Sequence, residues 1–135
     1  MYSARLLEHF QNPRNVGILG PPAITVEVSN PICGDILRLA VRFEGEIAAE
    51  ARYQTRGCTA SIAAGSALTE WITGKSRAEL ATLTAAGVEE SVGGLPAESK
   101  HAAQLCLEGL RAVLRAGRQE TPGAPPHGST ARSRR

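Results

Sequence analysis

The sequence predicts an α+β fold in which a three-stranded antiparallel sheet is packed by about four to five helices. Apolar and polar residues alternate in the stretches between residues 24 and 54, whereas a helical spacing of apolar residues begins near Cys58. A chain of 135 residues is long enough for one core and too short for two ordinary domains. Because 42% of the residues are hydrophobic and only 4% aromatic, the core is expected to consist mainly of aliphatic side chains.

The first half of the chain predicts one short helix and the whole sheet. The helix is expected over residues 2–10, because the proline that follows disfavours further helix. Residues 24–29 alternate as in a strand with one buried face. Residues 36–43 and 46–54 flank Glu44-Gly45, a pair suited to a tight turn. Three consecutive strands should therefore pair in an antiparallel arrangement.

The second half predicts helices. Residues 58–73 carry apolar side chains at a spacing of about 3.6 residues. Ser76 and Glu79 have the spacing of a capping box, which predicts a short helix to about residue 83. Glycines and a proline then predict an irregular connection over residues 87–96. The last helix is expected over residues 98–116, with an apolar stripe formed by Ala103, Leu107, Leu110 and Leu114.

The distribution of charge divides the chain into a near-neutral body, residues 1–117, and a basic tail, residues 118–135. The body carries 11 Lys/Arg and 12 Asp/Glu, a net charge of −1, and the tail adds +3. The tail lacks apolar residues and is expected to be disordered. A near-neutral body argues against a nucleic-acid partner. Neither a signal peptide nor a membrane span is expected, so the predicted location is the cytoplasm.

Three cysteines without a secretion signal predict reduced thiols and direct attention to metal binding. Cys33, Gly34 and Asp35 stand at the junction of two predicted strands. The glycine permits a turn that brings a soft thiolate and a carboxylate to one point. A surface turn explains this segment equally well, so the motif is weak when taken alone.

Two further segments place chemically active residues at predicted helix starts. Cys58 follows Gly57, and a helix N-terminus stabilises a thiolate. A small cysteine buried against the sheet is the alternative interpretation. His101 could present a neutral imidazole to a metal, although histidines at helix starts are often solvated. His9 is predicted to lie on the surface of the first helix and His127 in the tail.

Residues 2–116 resemble the N-terminal scaffold domains of the IscU/NifU family, which assemble iron-sulfur clusters. The matching segments occur in the family's order and with few length changes. They are Tyr2-Ser3 with His9-Phe10, Asn12-Pro13-Arg14-Asn15-Val16-Gly17, Asn30-Pro31-x-Cys33-Gly34-Asp35, Gly57-Cys58-x-Ala60-Ser61, and Thr69-Glu70-Trp71 with Gly74-Lys75-Ser76. The family's antiparallel sheet packed by helices agrees with the fold predicted above.

The resemblance implies a metal site without catalytic residues, its ligands being Cys33, Asp35, Cys58 and His101. The family has a third cysteine directly after the histidine, where this chain has Ala102. Cys106 follows four residues later, so it lies within about 40° of the same helix face but about 6 Å further along the axis. Two interpretations of Cys106 stay open, a displaced ligand or sulfur acceptor and a core cysteine.

The resemblance also implies a function. The leading hypothesis is a non-enzymatic scaffold for a 2Fe-2S cluster, with a cysteine desulfurase, an iron donor and acceptor apo-proteins as partners. One alternative is a zinc-binding persulfide acceptor similar to the SufU branch, because the four ligands could close a zinc shell. A second alternative is an interaction protein that keeps the fold without assembling clusters.

Overall fold

The computed structural model describes residues 2–31 and 34–119, with the backbone alone described for residues 118 and 119. This part of the chain contains five α-helices and a three-stranded antiparallel sheet, which confirms the predicted fold class. The elements in chain order are α1 (Ala4–Gln11), β1 (Ile24–Ser29), β2 (Ile36–Glu44), β3 (Ile47–Arg56), α2 (Thr59–Ile72), α3 (Arg77–Leu80), α4 (Ala85–Ser91), a 3-10 turn (Ala97–Ser99) and α5 (His101–Gln119).

The strands follow one another across the sheet in the order β1-β2-β3. A two-residue turn at Gly45 and Glu46 joins β2 to β3, and Gly45 has a φ of 62°, a conformation that favours glycine. The pairing of β2 with β3 shifts by one residue between Arg42 and Phe43. This bulge changes which residues of β3 face inward, so Ala48 and Ala51 are both buried although they are three residues apart.

Helices α2 and α5 pack against the sheet and against each other, and α1 and α4 pack against α2. Tyr53 fixes the approach of α2, because its hydroxyl donates to the carbonyl of Ile62 at 2.7 Å. A Cβ atom at Gly65 would lie 2.5 Å from the Tyr53 ring, so the ring fits only against a glycine. The largest buried side chains of the core are Tyr53, Leu6, Leu37, Leu39, Leu68, Ile72, Leu80 and Leu110.

The outer edge of β3 is covered at two places. Near one end, the amide of Gly17 donates to the carbonyl of Tyr53 at 2.9 Å, and the amide of Tyr53 donates to the carbonyl of Asn15 at 2.9 Å. Near the other end, the amide of Ala48 donates to the carbonyl of Lys75 at 2.9 Å. The first covering segment joins α1 to β1 and the second joins α2 to α3, so they also help to position α1 and α3.

Most element predictions are confirmed, including β1 at its full length and the capping box that starts α3. The irregular connection predicted over residues 87–96 is wrong in its first part, where α4 forms. Thr84 caps α4 through the amide of Gly87, and Val88 is buried. The predicted disordered tail lies outside the described residues from position 120 onward. Within the described residues, every helix is too short or too polar to cross a membrane.

Candidate metal centre

Asp35 stands at the point where the chain enters β2. The amide of Asn30 donates to the backbone carbonyl of Asp35 at 2.8 Å, which extends the pairing of β1 with β2 by one step. Gly34 has a φ of 77°, so the turn before Asp35 uses the conformation that glycine tolerates best. The side chain of Asp35 is 7% exposed and therefore held inside the protein rather than in solvent.

Cys58 is the N-cap residue of α2. Its side chain makes no capping hydrogen bond to the backbone of the helix, so the sulfur points to other partners. Cys58 Sγ lies 3.9 Å from Asp35 Oδ2 and 3.5 Å from Ser61 Oγ. The sulfur is half-buried beside the positive end of the α2 dipole, a place that suits a thiolate.

His101 is the first residue of α5, and Lys100 separates it from the 3-10 turn. Its Nε2 atom lies 3.3 Å from Asp35 Oδ2 and 3.8 Å from Cys58 Sγ. The side chain of His101 is 28% exposed, so the imidazole forms the solvent-facing side of the group. The His101 side chain is therefore partly buried rather than fully solvated.

Asp35, Cys58 and His101 form the one group of three potential ligands within the part of the chain that the structure describes. One ligand atom from each, an oxygen, a sulfur and a nitrogen, lies within 4.8 Å of the other two. Nitrogen and sulfur ligands suit zinc and iron, whereas calcium and magnesium prefer oxygen alone. The fourth predicted ligand, Cys33, lies outside the described residues.

The sequence model of the NifU-like N terminal domain matches residues 1–120. The chain belongs to this family. This match confirms the resemblance inferred from the motifs, and Asp35, Cys58 and His101 all lie within the matched NifU-like domain.

Curated relatives of this NifU-like domain cover most of its length. It is 37% identical over 114 residues to the iron-sulfur cluster assembly scaffold protein IscU 1 of Archaeoglobus fulgidus, covering 84% of the chain and 74% of that protein. It is 35% identical over 118 residues to the scaffold protein IscU of Azotobacter vinelandii, covering 84% of the chain and 91% of that protein.

A solved structure supports the fold independently. The crystal structure of a nitrogen-fixing NifU-like protein (N-terminal) from Brucella abortus superposes with a TM-score of 0.73. The match covers 88% of the chain and 95% of that structure. At 15% sequence identity, this likeness concerns the fold alone.

Cys106 lies apart from the ligand group of this NifU-like domain. It is 2% exposed and belongs to the apolar core. Burial raises the pKa of the Cys106 thiol to about 12, so the thiolate that metal binding requires is strongly disfavoured there. Of the two interpretations left open by the sequence, the structure favours the core cysteine. Ala102 is also fully buried.

The prediction that His9 lies on a solvated surface is wrong, because the residue is 7% exposed. Its Nδ1 lies 2.7 Å from Ser66 Oγ, and its Nε2 lies 3.7 Å from a Glu70 carboxylate oxygen. Together with Arg14, whose amide donates to Ser66 Oγ at 2.9 Å, these residues form the Ser66 cluster. The signal in the sequence was the three-residue spacing from Leu6, which places both side chains on the buried face of α1.

Ser61 is the site residue that the sequence prediction did not single out. Its hydroxyl donates to Asp35 Oδ2 at 2.5 Å, and the side chain is buried. We call Asp35, Cys58, Ser61 and His101 the Ser61 cluster. The sequence signal for Ser61 was its spacing from Cys58, because residues three positions apart lie on the same face of a helix.

Proposed function

We propose that this NifU-like domain, residues 1–117, is a scaffold on which a 2Fe-2S cluster is assembled and then transferred. The convergence of a carboxylate, a thiol and an imidazole within 4.8 Å carries the proposal. The three groups come from three separate junctions, at the starts of β2, α2 and α5. Relatives named as iron-sulfur cluster assembly scaffolds, at up to 37% identity over most of the chain, support the same function.

The proposed ligands are Cys33, Asp35, Cys58 and His101. Support for Cys33 comes from the covalent chain, since a residue two positions from Asp35 has its Cα within about 7 Å. Thiolates bind iron as soft ligands, and the oxygen of Asp35 is a harder ligand that holds iron less firmly. Mixed ligation of this kind suits a cluster that must be handed on, whereas four thiolates would retain it.

The scaffold function requires partners of defined chemistry. We propose that sulfur arrives from a cysteine desulfurase, iron from an iron donor, and that acceptor apo-proteins take the finished cluster. The domain itself needs no catalytic residue for this task, because its side chains hold the components together. The cytoplasm is the proposed location.

A second candidate function is zinc-dependent acceptance of persulfide sulfur. The observation that favours it is the burial of Cys106, which leaves the site with two candidate cysteines instead of three. Two thiolates, one carboxylate and one imidazole make a four-ligand shell of the size that zinc prefers. In that case the bound zinc would persist, and one of the two remaining cysteines, Cys33 or Cys58, would carry the transferred sulfur.

Metal analysis of the full chain distinguishes these functions. The protein is purified without oxygen, and its iron, sulfide and zinc contents are measured before and after reconstitution with ferrous iron, cysteine, a cysteine desulfurase and a thiol reductant that converts persulfide sulfur to sulfide. The scaffold proposal expects a 2Fe-2S absorption spectrum with equal amounts of iron and sulfide. Tight equimolar zinc that resists replacement would favour the persulfide acceptor, and neither metal would favour an interaction protein without assembly activity.

A further inference from the structure

Ser61 lies at the centre of the candidate metal centre without being one of its predicted ligands. The residue is 3% exposed and occupies the first turn of α2, three residues after Cys58. Its hydroxyl oxygen lies 2.5 Å from Asp35 Oδ2 and 3.5 Å from Cys58 Sγ. A buried hydroxyl this close to a carboxylate oxygen is a hydrogen-bond donor that fixes the orientation of the carboxylate.

Gly57 also borders the space that holds the carboxylate. A Cβ atom at this position would lie 2.7 Å from Asp35 Cγ and 2.9 Å from each carboxylate oxygen. Such distances are too short for real atoms, so any larger residue would push the carboxylate away. We call Gly57 and Ser61 the Asp35 seat, because both residues adjoin the carboxylate.

The hydrogen bond from Ser61 is compatible with metal binding by the same oxygen. A carboxylate oxygen has more than one lone-pair direction, so Oδ2 can accept from Ser61 through one lone pair and still offer another to a metal. His101 Nε2 and Cys58 Sγ lie near the same oxygen, at 3.3 and 3.9 Å from Oδ2. Outer partners of this kind orient metal ligands and often change metal affinity by about 10- to 100-fold.

We infer that Ser61 is a positioning residue, which acts together with Gly57 by holding the Asp35 carboxylate toward the metal. The inference deepens the proposed function and rests on Asp35 being a ligand. Ser61 itself does not bind the metal, because its hydroxyl is engaged by Asp35.

A double-mutant cycle with Zn²⁺ alone as the probe tests the inference on the full chain. Zinc affinity is measured by competition with a chromophoric chelator for the wild type, Ser61→Ala, Asp35→Ala and the double variant. Ser61→Ala is expected to weaken zinc binding by about 10-fold, and Asp35→Ala by at least as much. The double variant should bind no more weakly than Asp35→Ala alone, because Ser61 acts through that carboxylate.

A spectroscopic readout and a matched control separate positioning from a general effect on folding. With Co²⁺ in place of Zn²⁺, the visible spectrum of Ser61→Ala should shift toward that of Asp35→Ala. Ser66→Ala removes another buried serine hydroxyl from the same helix, in a cluster that contains none of the proposed ligands. Ser66→Ala should therefore leave zinc affinity unchanged.

The seat has a second test if Ser61→Ala does not fold. Gly57→Ala is expected to weaken zinc binding by at least about 10-fold in the wild type and to have no effect in the Asp35→Ala background. Gly20→Ala is the control, because an added Cβ there meets no described atom within 4 Å. A Gly57→Ala protein with wild-type zinc affinity would overturn the seat.

Failure of the inference and failure of the proposed function give different results. Unchanged affinity in Ser61→Ala, or an equal loss with and without Asp35, overturns the positioning role while the ligand set stands. Unchanged affinity in Asp35→Ala overturns both, because Asp35 would then not be a ligand.

Discussion

Helix α2 carries two polar clusters, each built around a buried serine, that contain similar kinds of side chain. The Ser61 cluster combines a serine with Asp35, His101 and Cys58. The Ser66 cluster, five residues further along the helix, combines a serine with His9, Arg14 and Glu70. Each has one serine, one histidine and one carboxylate, and only the first has a thiol.

The clusters differ in how their polar atoms are satisfied. In the Ser66 cluster, Ser66 Oγ and the guanidinium of Arg14 both lie within hydrogen-bonding distance of His9 Nδ1, at 2.7 and 3.3 Å. A neutral ring that accepts at Nδ1 fits these contacts, and burial followed by the charge of Arg14 lowers the pKa of His9. This cluster is complete without a ligand.

In the Ser61 cluster, three groups approach one oxygen atom. Ser61 Oγ, His101 Nε2 and Cys58 Sγ lie 2.5, 3.3 and 3.9 Å from Asp35 Oδ2. Only the first distance is that of a short hydrogen bond. The arrangement leaves the sulfur and the nitrogen available to a cation, as the proposed metal binding requires, whereas the polar atoms of the Ser66 cluster are paired with one another.

The largest expected effect comes from removing the thiol that distinguishes the Ser61 cluster. Cys58→Ser should abolish the 2Fe-2S spectrum after anaerobic reconstitution, because a hydroxyl does not replace a soft thiolate ligand. Cys106→Ala is the matched control and should reconstitute normally, since Cys106 lies in the apolar core. Loss of the spectrum in Cys106→Ala would instead recruit this cysteine to the site.

Zinc should stabilise the wild type through the proposed ligands and not through the Ser66 cluster. At a free zinc concentration of 100 times Kd, binding to the folded state adds about 2.7 kcal/mol to the free energy of unfolding. Thermal or urea unfolding with and without zinc measures this gain. Ser66→Ala should retain the whole increment, whereas an equal increment in Cys58→Ser would contradict the assignment.

Ser66→Ala tests the structural cluster. The substitution leaves the amide of Arg14 and the ring of His9 without their buried partner. The free energy of unfolding should fall by about 1–3 kcal/mol, the usual cost of such groups. Urea unfolding of the metal-free protein gives the value, and a loss below about 0.5 kcal/mol would mean that the cluster adds little stability.

The smallest expected effect is a pH dependence from His9. Because the pKa of His9 is lowered in the folded state, the unfolded state binds the proton more readily. The contribution of His9 to the free energy of unfolding should therefore be complete above pH 6.5 and decrease as the pH falls below that value. One proton changes the free energy of unfolding by at most about 1.4 kcal/mol per pH unit.

Comparison with His9→Gln isolates this contribution, because the other titrating groups are common to both proteins. Urea unfolding between pH 7.5 and 5 should show a shallower slope in His9→Gln. Carrying both measurements out in a His101→Ala background removes the other described histidine. Parallel slopes would show that His9 does not couple folding to pH.

Periodicity and spacing predict most of the fold, and packing between residues distant in sequence accounts for the part that they miss. Strand β1 alternates clearly, and the capping box at Ser76 marks the start of α3. Helix α4 was not predicted because Gly87 lowers its intrinsic helix propensity, while packing against α2 and α5 stabilises it. That packing involves residues distant in sequence, which a local pattern does not contain.

The candidate site shows the same division. Asp35, Cys58 and His101 were predicted from residue type and neighbouring glycines or helix starts, and the structure brings them together. The roles of Ser61 and His9 are not predicted, because serine and histidine occur in many environments. Their partners also lie on other secondary-structure elements. The buried position of Cys106 likewise depended on how α5 packs on the sheet.

The covered edge of β3 affects how copies of this chain can meet. An exposed strand edge offers free amides and carbonyls to the strand of another molecule and thereby promotes aggregation. Here the segments around Val16 and Lys75 already occupy parts of that edge. The β3 edge of the sheet is therefore partly closed to pairing with a strand from a second copy of this chain.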